Sequence, residues 1–291
     1  MNKKLEQAMS NEQPLQMVGT INAYSALLAK NAGFKAIYLS GAGVANHSLG
    51  LPDLAMTTLN DVCEDIRRIS YSCDLPLIAD ADTGWGNAFM VARTVKEMRK
   101  AGASGCHIED QVASKRCGHR PGKEIVSVNE MNDRIKAAVD ARDDDFTIIA
   151  RTDAFAVEGL EKSIDRARTY IDSGADIIFA EALTDLDQYK TFTDSLNAPV
   201  LANLTEFGLT PLFTVEEMRD VGVKIILYPL SAARSMADAA MKTYKAIKQD
   251  GTQKKHIENM QTRTDLYKTL NYEAHEAKIN KILHKNKRPR D

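Results

Sequence analysis

The segment Ala167–Ala182, "ARTYIDSGADIIFAEA", decides the fold class of this chain. Its first part is polar and helix-forming, and Gly174 follows at the point where such a helix would end. Glycine just past a helix adopts the left-handed conformation that ends it. A short apolar run without alternation is typical of a strand buried on both faces. The segment therefore predicts a helix, a tight turn and a buried parallel strand in succession.

The same arrangement recurs elsewhere in the chain, in "LLAKNAGFKAIYLS" (27–40), "VKEMRKAGASGCHIED" (95–110) and "EEMRDVGVKIILYPL" (216–230). Four further apolar runs lie between these segments: "LQMVGTI" (15–21), "LPLIADAD" (75–82), "FTIIARTD" (146–153) and "APVLANLTE" (198–206). Eight strands that alternate with helices predict an α/β fold, and eight such units favour a (β/α)₈ barrel of the TIM type. The alternative, an open doubly wound sheet, is disfavoured because the chain has neither a GxGxxG nor a GxxxxGK[ST] motif.

The end of the chain exceeds what a minimal barrel needs. We expect a helix over residues 231–250, followed by a polar, helix-prone remainder that ends in the basic sequence "HKNKRPRD" (284–291). No linker composition interrupts the chain. The sequence therefore predicts a single domain, residues 1–291, in which about 251–291 form a C-terminal helical extension that packs on a partner subunit or across the barrel mouth.

The composition excludes several classes of protein. Of the 291 residues, 44% are hydrophobic and 27% are charged, and the net charge of −2 gives no basic surface for nucleic acid. The N-terminus lacks the apolar run of a secretory signal, and no stretch is apolar for long enough to span a membrane. The four cysteines form no CxxC pair, so we expect free thiols and a cytoplasmic protein.

Polar side chains follow nearly every predicted strand. In a barrel of this kind the carboxyl ends of the strands meet on the face that carries the active site. For any one residue the alternative is an ordinary turn residue. As a set, which includes two arginines and several carboxylates, they predict a site: Ser40, Asp80, Asp82, Glu109, Asp110, Arg151, Asp153, Glu181, Asn203, Thr205, Tyr228 and Arg234.

The sequence "DAD", Asp80–Asp82, predicts a metal site. Residues i and i+2 of an extended chain point to the same side, so two like charges would share a small volume unless a cation lies between them. Carboxylate oxygens without nearby sulfur or paired histidines favour Mg²⁺, or Mn²⁺, over zinc. Glu109 is a candidate third ligand, directly or through water. His107 lies on the same side of its strand as Glu109 and is either a supporting residue or a core histidine.

The segment "ASKRCGHRPGK" (113–123) places Cys117 among five basic or titratable side chains: Lys115, Arg116, His119, Arg120 and Lys123. Neighbouring cations lower the pKa of a thiol because they stabilise the thiolate. Glycines and a proline indicate a loop, and a loop that closes over the metal could deliver Cys117 as an acid or a base. The alternative is a solvated basic loop with an incidental cysteine. Cys63, Cys73 and Cys106 are expected to be small core residues.

Several motifs together resemble the isocitrate lyase/phosphoenolpyruvate mutase superfamily. "KRCGH" (115–119) follows "HIEDQ" (107–111), with "DAD" one strand earlier. The similarity continues through "YLSGAGVANHSLGLPD" (38–53), "ARTDAFAVEGL" (150–160), "LANLTEFG" (201–208), "LYPLSAAR" (227–234) and "MQTR" (260–263). Isocitrate lyases usually carry KKCGH, whereas this chain has Arg116, and phosphonopyruvate-type relatives generally lack the cysteine motif.

The resemblance implies an assembly and a set of site residues. It implies a barrel whose last helix is exchanged between subunits of a homotetramer, and Mg²⁺ bound by Asp80 and Asp82 with Glu109 nearby. The implied catalytic residues are Cys117, with its loop neighbour His119, and a base. The implied substrate-binding set is Ser40, Gly41, Ala42, Cys117, Gly118, Arg151, Glu181, Asn203, Leu204, Thr205, Arg234 and Arg263. Two positions depart from the family pattern, Ala42 and Ala180, where relatives often have Gly and Pro.

The resemblance also implies a reaction. The expected substrate is 2-methylisocitrate, a tricarboxylate cleaved to pyruvate and succinate in the methylcitrate cycle of propionate breakdown. Either Asp53 or Tyr38 would remove the hydroxyl proton, and Cys117 would protonate the succinate fragment. Phe179 and Leu227 would accommodate the substrate methyl group, unless both are ordinary barrel residues. The alternatives are cleavage of isocitrate, a reaction of oxaloacetate or phosphonopyruvate, or a catalytically silent barrel.

Overall fold

The computed structural model describes residues 1–285, and its centre is a closed parallel barrel. The strands follow chain order around the barrel, and each pairs with its neighbours in sequence. Strand β1 closes the circle against β8, with Leu15 opposite Ile225 and Met17 opposite Leu227. The predicted (β/α)₈ barrel is confirmed, with strands β1 (Leu15–Gly19), β2 (Ala36–Leu39), β3 (Leu77–Asp80), β4 (Gly105–Glu109), β5 (Thr147–Thr152), β6 (Ile177–Ala180), β7 (Val200–Asn203) and β8 (Ile225–Tyr228).

Helices precede, connect and follow the strands along the chain. They are α1 (Lys3–Asn11), α2 (Ala23–Asn31), the short α3 (Gly41–Gly43) with a π-helical turn at Val44–Ser48, α4 (Leu59–Ser72), α5 (Ala88–Ala101), α6 (Val128–Ala141), α7 (Phe155–Glu158), α8 (Leu160–Asp172), α9 (Leu186–Asp194), α10 (Val215–Asp220) and α11 (Ser231–Asp250). A 3₁₀ turn at Lys254–Asn259, α12 (Arg263–Thr269) and α13 (Tyr272–Lys285) follow. Gly174 has a φ of 102°, as the helix–glycine–strand pattern predicted.

Two apolar layers hold the barrel together. One fills its interior with alternate residues of the strands, because successive side chains of a strand point to opposite faces: Met17, Tyr38, Ile78, Ile149, Phe179, Leu201 and Leu227 are among them. Leu5 and Ala8 of α1 belong to this inner layer, so the N-terminal helix covers one end of the barrel. The second layer lies between the strands and the helices, and it includes Cys63, Cys73 and Cys106, as predicted.

The described chain consists of two compact units, Met1–Arg234 and the residues from Ser235 onward. The first unit contains the whole barrel, and the second contains most of α11 together with α12 and α13. The predicted basic end of the chain falls largely on residues 286–291, which lie outside the described residues. Within residues 1–285, no helix is both long and apolar enough to cross a membrane.

Candidate active site

A cavity of about 370 Å³ opens at the carboxyl ends of the barrel strands, where the sequence predicts the site. Most of the predicted site residues line it: Tyr38, Ser40, Ala42, Asp53, Asp80, Cys117, Gly118, His119, Arg151, Glu181, Asn203, Thr205 and Arg234. Phe179 and Leu227, the predicted methyl-accommodating residues, line it as well. Residues from the ends of many strands therefore share one concave space, which is the arrangement of a binding site.

The carboxylates of Asp80 and Asp82 converge as predicted, but for a different reason. Strand β3 ends at Asp80, and Asp82 has a φ of 46°, so it lies in a turn rather than in an extended strand. The convergence is visible at Gly41, where an added Cβ would lie 2.9 Å from Oδ2 of Asp80 and 3.0 Å from Oδ1 of Asp82. The backbone N–H of Gly41 donates to Asp80 Oδ2 at 2.9 Å. The turn, and not strand alternation, brings the two acids together.

Lys115 turns inward from the loop and contacts these carboxylates. Its Nζ lies 2.6 Å from Asp53 Oδ1 and 2.8 Å from Asp82 Oδ1, and its side chain is 5% exposed. Burial acts to lower the pKa of Lys115, but the negative charges of Asp82, Glu109 and Asp80 outweigh it and raise the pKa. Burial raises the pKa of Asp82 to about 6, and the charge of Asp80 adds to that rise. The ammonium thus compensates a buried group of acids.

The donor set fits a hard divalent cation in part. Glu109 is 1% exposed, and its Oε1 has no hydrogen-bond partner among the described residues. Within residues 1–285, no three His, Cys, Asp or Glu side chains are grouped closely enough to enclose a metal by themselves. Mg²⁺ commonly uses one or two carboxylates and completes its coordination with water and substrate. The acids after β3 and β4 match that mode of binding rather than a closed protein cage.

Tyr38 and His107 form a buried pair beneath Asp80. The Tyr38 hydroxyl lies 2.7 Å from Nε2 of His107 and 3.5 Å from Asp80 Oδ2. Burial raises the pKa of Tyr38 well above its ordinary value, and the charge of Asp80 adds to the shift. The Nε2 of His107 also lies 3.2 Å from Asp80 Oδ1, and its side chain is 1% exposed. This agrees both with a supporting residue and with a hydrogen-bonded core histidine, so its role stays a prediction.

The thiol of Cys117 lies on the loop of residues 113–123, which we call the Cys117 loop, and its pKa shift is opposite to the predicted one. Partial burial raises the pKa of Cys117, and the charge of Glu181 adds to the rise, although Cys117 is reached by solvent. The prediction of a lowered pKa was wrong because two of the loop cations are paired elsewhere. Lys115 is bound by Asp53 and Asp82, and Lys123 by Asp153 at 2.8 Å. A raised pKa keeps the thiol protonated, which suits an acid.

His119 attaches the tip of the Cys117 loop to the barrel. The N–H of Leu209 donates to its Nδ1 at 3.0 Å, so the proton of the neutral ring is on Nε2. That Nε2 lies 2.8 Å from Oε1 of Glu181 and donates to it. Burial acts to raise the pKa of Glu181, but Arg151 and His119 outweigh it and hold the pKa below its ordinary value. The loop tip is therefore held against β6.

Gly118 passes close to two charged side chains of the barrel. An added Cβ there would lie 2.4 Å from Nη2 of Arg151 and 2.6 Å from Cγ of Glu181. Arg151 itself donates from Nε to Asp153 Oδ2 at 3.0 Å and stacks its guanidinium 5.2 Å from the centre of the Phe179 ring. Glycine is required at this position because any larger residue would displace the Arg151–Glu181 pair.

Three predicted substrate-binding residues do not line the cavity within the described part of the chain. Gly41 contributes its N–H to Asp80 instead. Leu204 is 1% exposed, packs in the layer between strands and helices, and donates its N–H to the Leu227 carbonyl; its contact with substrate stays a prediction. Arg263 is the first residue of α12 in the second unit, and its role stays a prediction.

Sequence reasoning missed the inward turn of Lys115 and the pairing of Lys123 with Asp153. It also missed several cavity residues, namely Asn46, Pro52, Pro229 and Leu230. The sequence marks Asp153 only as one polar strand-end residue among several. The spacing of "ARTD" is the one sequence signal for a contact of Asp153. Residues i and i+2 of an extended chain point to the same side, and Arg151 and Asp153 form a hydrogen-bonded pair.

Comparison with known proteins extends the similarity over the whole fold. The family model described as phosphoenolpyruvate phosphomutase matches residues 5–248. The 2-methylisocitrate lyase of Escherichia coli (strain K12) is 58% identical over 283 residues, which are 97% of this chain and 96% of that protein. The 2-methylisocitrate lyase of Salmonella typhimurium (strain LT2) is 59% identical over the same shares of each chain.

Solved structures agree with this similarity. A crystal structure of 2,3-dimethylmalate lyase, a member of the PEP mutase/isocitrate lyase superfamily, has a TM-score of 0.87 and 35% identity over 95% of this chain and 94% of its own. Phosphonopyruvate hydrolase in complex with oxalate and Mg²⁺ has a TM-score of 0.83 and 28% identity over 95% and 98%. The chain therefore belongs to the phosphoenolpyruvate phosphomutase family, within the superfamily of PEP mutases and isocitrate lyases.

Proposed function

We propose that this chain is a Mg²⁺-dependent carbon–carbon lyase that cleaves 2-methylisocitrate to pyruvate and succinate in the methylcitrate cycle of propionate breakdown. One observation carries the proposal: a thiol with a raised pKa and a group of buried carboxylates flank the same 370 Å³ cavity. The names of the relatives that share more than half of its residues support the choice of substrate.

The cavity offers complementary groups for a tricarboxylate. Arg151 and Arg234 line it from β5 and from the start of α11, and Arg116 and Arg120 line it from the Cys117 loop. Arginine binds carboxylates through paired N–H donors, which makes these four the expected partners of the substrate's acid groups. Ser40, Asn203 and Thr205 also line the cavity, and they would form hydrogen bonds with the remaining oxygens of the substrate.

Asp80 and Asp82 would hold Mg²⁺, with Glu109 in its water shell. The ion, when bound, would acidify the substrate hydroxyl and neutralise the charge that develops on it. Mn²⁺ satisfies the same oxygen donors. The carboxylates themselves would orient the water and substrate oxygens around the site, and Lys115 would limit their mutual repulsion.

Two residues remain candidates for the base that takes the hydroxyl proton. Tyr38 lines the cavity, and its hydroxyl lies 2.7 Å from Nε2 of His107. Burial raises its pKa, so the phenol would have to lose its proton before it could act as the base, and burial lowers the pKa of His107 to about 4. Asp53 also lines the cavity, but its carboxylate is paired with Lys115 at 2.6 Å. Comparison of Tyr38→Phe with Asp53→Asn separates them, because only loss of the base should remove the acidic limb of the kcat/KM profile.

Cys117 would act at the second stage. Bond cleavage leaves the succinate fragment as an aci-carboxylate, a dianion that must gain a proton at carbon. The raised pKa of Cys117 keeps its proton in place at neutral pH for this transfer. Asn203, Arg151 and Thr205 would hold the dianion while the proton moves.

Product analysis tests the proposal. Purified protein with Mg²⁺ is given 2-methylisocitrate or isocitrate in parallel, with EDTA in matched samples and Cys117→Ser as the control variant. We expect pyruvate and succinate from the methylated substrate, abolished by EDTA. Faster release of glyoxylate from isocitrate would identify an isocitrate lyase instead. No cleavage of either substrate would contradict the proposal, and oxaloacetate and phosphonopyruvate would then be assayed as substrates.

We further propose a cytoplasmic homotetramer in which each chain is a single functional domain and exchanges its last barrel helix with a neighbour. Exposed apolar side chains on α11 and α13 support an assembly, since such patches commonly mark protein contacts: Met241, Tyr244, Ile247, Ile279, Ile282 and Leu283. Sedimentation equilibrium of the full chain should give four times the mass of 32.2 kDa. A monomeric mass would contradict this.

A further inference from the structure

Lys123 is a buried lysine at the end of the Cys117 loop, and its contacts are not explained by metal or substrate. Its side chain is 2% exposed. Its Nζ donates to Asp153 Oδ1 at 2.8 Å and to the carbonyl oxygen of Gly118 at 2.5 Å. A lysine is rarely buried unless it is paired. The ammonium therefore joins a fixed carboxylate on the barrel to one peptide group of the loop.

The barrel end of this connection is rigidly held. Asp153 accepts two further hydrogen bonds from the guanidinium of Arg151, at 3.0 and 3.2 Å. Its own backbone N–H donates to Oδ1 of Asp110 at 2.8 Å, and Asp110 in turn accepts from Tyr170 at 2.9 Å. Asp153 thus has little freedom to move, and it fixes the ammonium of Lys123 in place.

The loop end of the connection is the peptide that joins Gly118 to His119. A trans peptide is planar, and its C=O and N–H point in opposite directions. Lys123 holds the carbonyl. The N–H of the same peptide, which belongs to His119, acts to lower the pKa of the Cys117 thiol, although burial outweighs it and the pKa is raised. A cation on the carbonyl also polarises the amide and strengthens its N–H as a donor.

We propose that Lys123 is a positioning residue for Cys117: it orients the Gly118–His119 peptide so that the N–H faces the sulfur and stabilises the thiolate that remains after proton donation. The inference rests on the proposed role of Cys117 as the acid. It assigns a role in proton donation to Lys123, a residue that does not line the substrate cavity. The Lys123–Asp153 pair then positions the Gly118–His119 peptide in addition to stabilising the loop.

Alkylation of Cys117 tests this without turnover. The other three cysteines, Cys63, Cys73 and Cys106, are at most 4% exposed, so iodoacetamide under native conditions reports Cys117 alone, with Cys117→Ser as the blank. Rates are measured against pH for the unmodified protein and for Lys123→Met, which keeps the length of the stem but removes the ammonium. The charged groups that act on the thiol, Glu181, Arg151 and Asp53, are unchanged in both.

We expect the titration midpoint of the thiol to rise in Lys123→Met and the rate at neutral pH to fall about threefold to tenfold, because the thiolate loses an oriented donor. Lys136→Met is the matched control: it removes the same charge from the exposed face of α6 and should leave the midpoint near that of the unmodified protein. Equal shifts in both variants would mean simple charge loss and would overturn the inference.

Lys123→Gln is a second variant in case Lys123→Met does not fold. The glutamine side chain keeps N–H donors but is one bond shorter than that of lysine. If circular dichroism shows that Lys123→Met is unfolded, the midpoint of Lys123→Gln decides, and it should lie above that of the unmodified protein. A midpoint unchanged or lowered in the folded variant overturns the inference. A raised midpoint in a protein that cleaves neither tricarboxylate would retain the positioning role and reject the proposed function.

Discussion

The Nζ of Lys115 lies 2.8 Å from Oδ1 of Asp82, and the two side chains are 5% and 6% exposed. This ion pair joins the Cys117 loop to the turn after β3. Because the attraction between opposite charges grows as water is excluded, the pair couples the position of the loop to the charge of the carboxylates. Cys117, two residues further along, is thereby placed relative to the acids proposed to hold Mg²⁺.

Lys115→Met should abolish most activity and destabilise the fold. The substitution leaves Asp82 and Asp53 without their shared cation, and an uncompensated buried charge costs about 3–5 kcal/mol. We expect kcat/KM to fall about 100-fold or more. The free energy of unfolding, measured in urea, should fall by about 3–5 kcal/mol. Lys136→Met on the exposed face of α6 is the control and should match the unmodified protein. Equal losses in both variants would refute the role of the pair.

Gly118→Ala should prevent the loop from closing in the observed position. The added methyl group would overlap Arg151 and Glu181 at 2.4 and 2.6 Å, distances that demand displacement of one partner. We expect kcat to fall about 100-fold with little change in thermal unfolding, because misplaced catalytic groups slow the reaction strongly. Gly43→Ala, whose Cβ would meet only ordinary contacts at 3.5 Å, should retain activity. Normal turnover in Gly118→Ala would mean that the loop works in another position.

The raised pKa of Cys117 predicts the alkaline side of the pH profile. An acid works only while it holds its proton, so activity is full below the thiol pKa and is lost as the pH rises through it. The shift is upward, so this loss should begin above the ordinary range for a thiol. The kcat of the unmodified protein is measured across this range, and an alkaline limb at or below the ordinary thiol pKa would contradict the assignment.

Leu227 and Phe179 should set the preference for the methylated substrate. Both line the cavity and are at most 1% exposed. One methyl group in an apolar pocket is worth about 1–3 kcal/mol, so Leu227→Gln or Phe179→Tyr should shift the ratio of kcat/KM towards isocitrate about 10-fold to 100-fold. The ratio is independent of the fraction of folded protein. An unchanged ratio in both variants would show that the methyl group lies elsewhere.

The sequence predicted the barrel because its signals are local. Each helix, its terminal glycine and the following apolar run are adjacent in the chain, as in Ala167–Ala182, and all eight predicted runs contain a strand. The barrel then places the carboxyl ends of its strands on one face, so the polar residues after them were also predictable as a site. Asp80, Glu181 and Asn203 line one cavity for this reason.

The tertiary structure decided where the long side chains go. Lys115 and Lys123 have flexible stems that reach either solvent or a carboxylate, and their partners lie far away in the chain, at Asp53 and Asp153. Proximity along the sequence suggested that these cations lower the pKa of Cys117. Their ammonium groups are instead paired with buried acids, and the thiol pKa rises. The sequence by itself thus determined the order of elements and the face of the site. The charge around the thiol depended on contacts between distant residues, which only the closed barrel brings together.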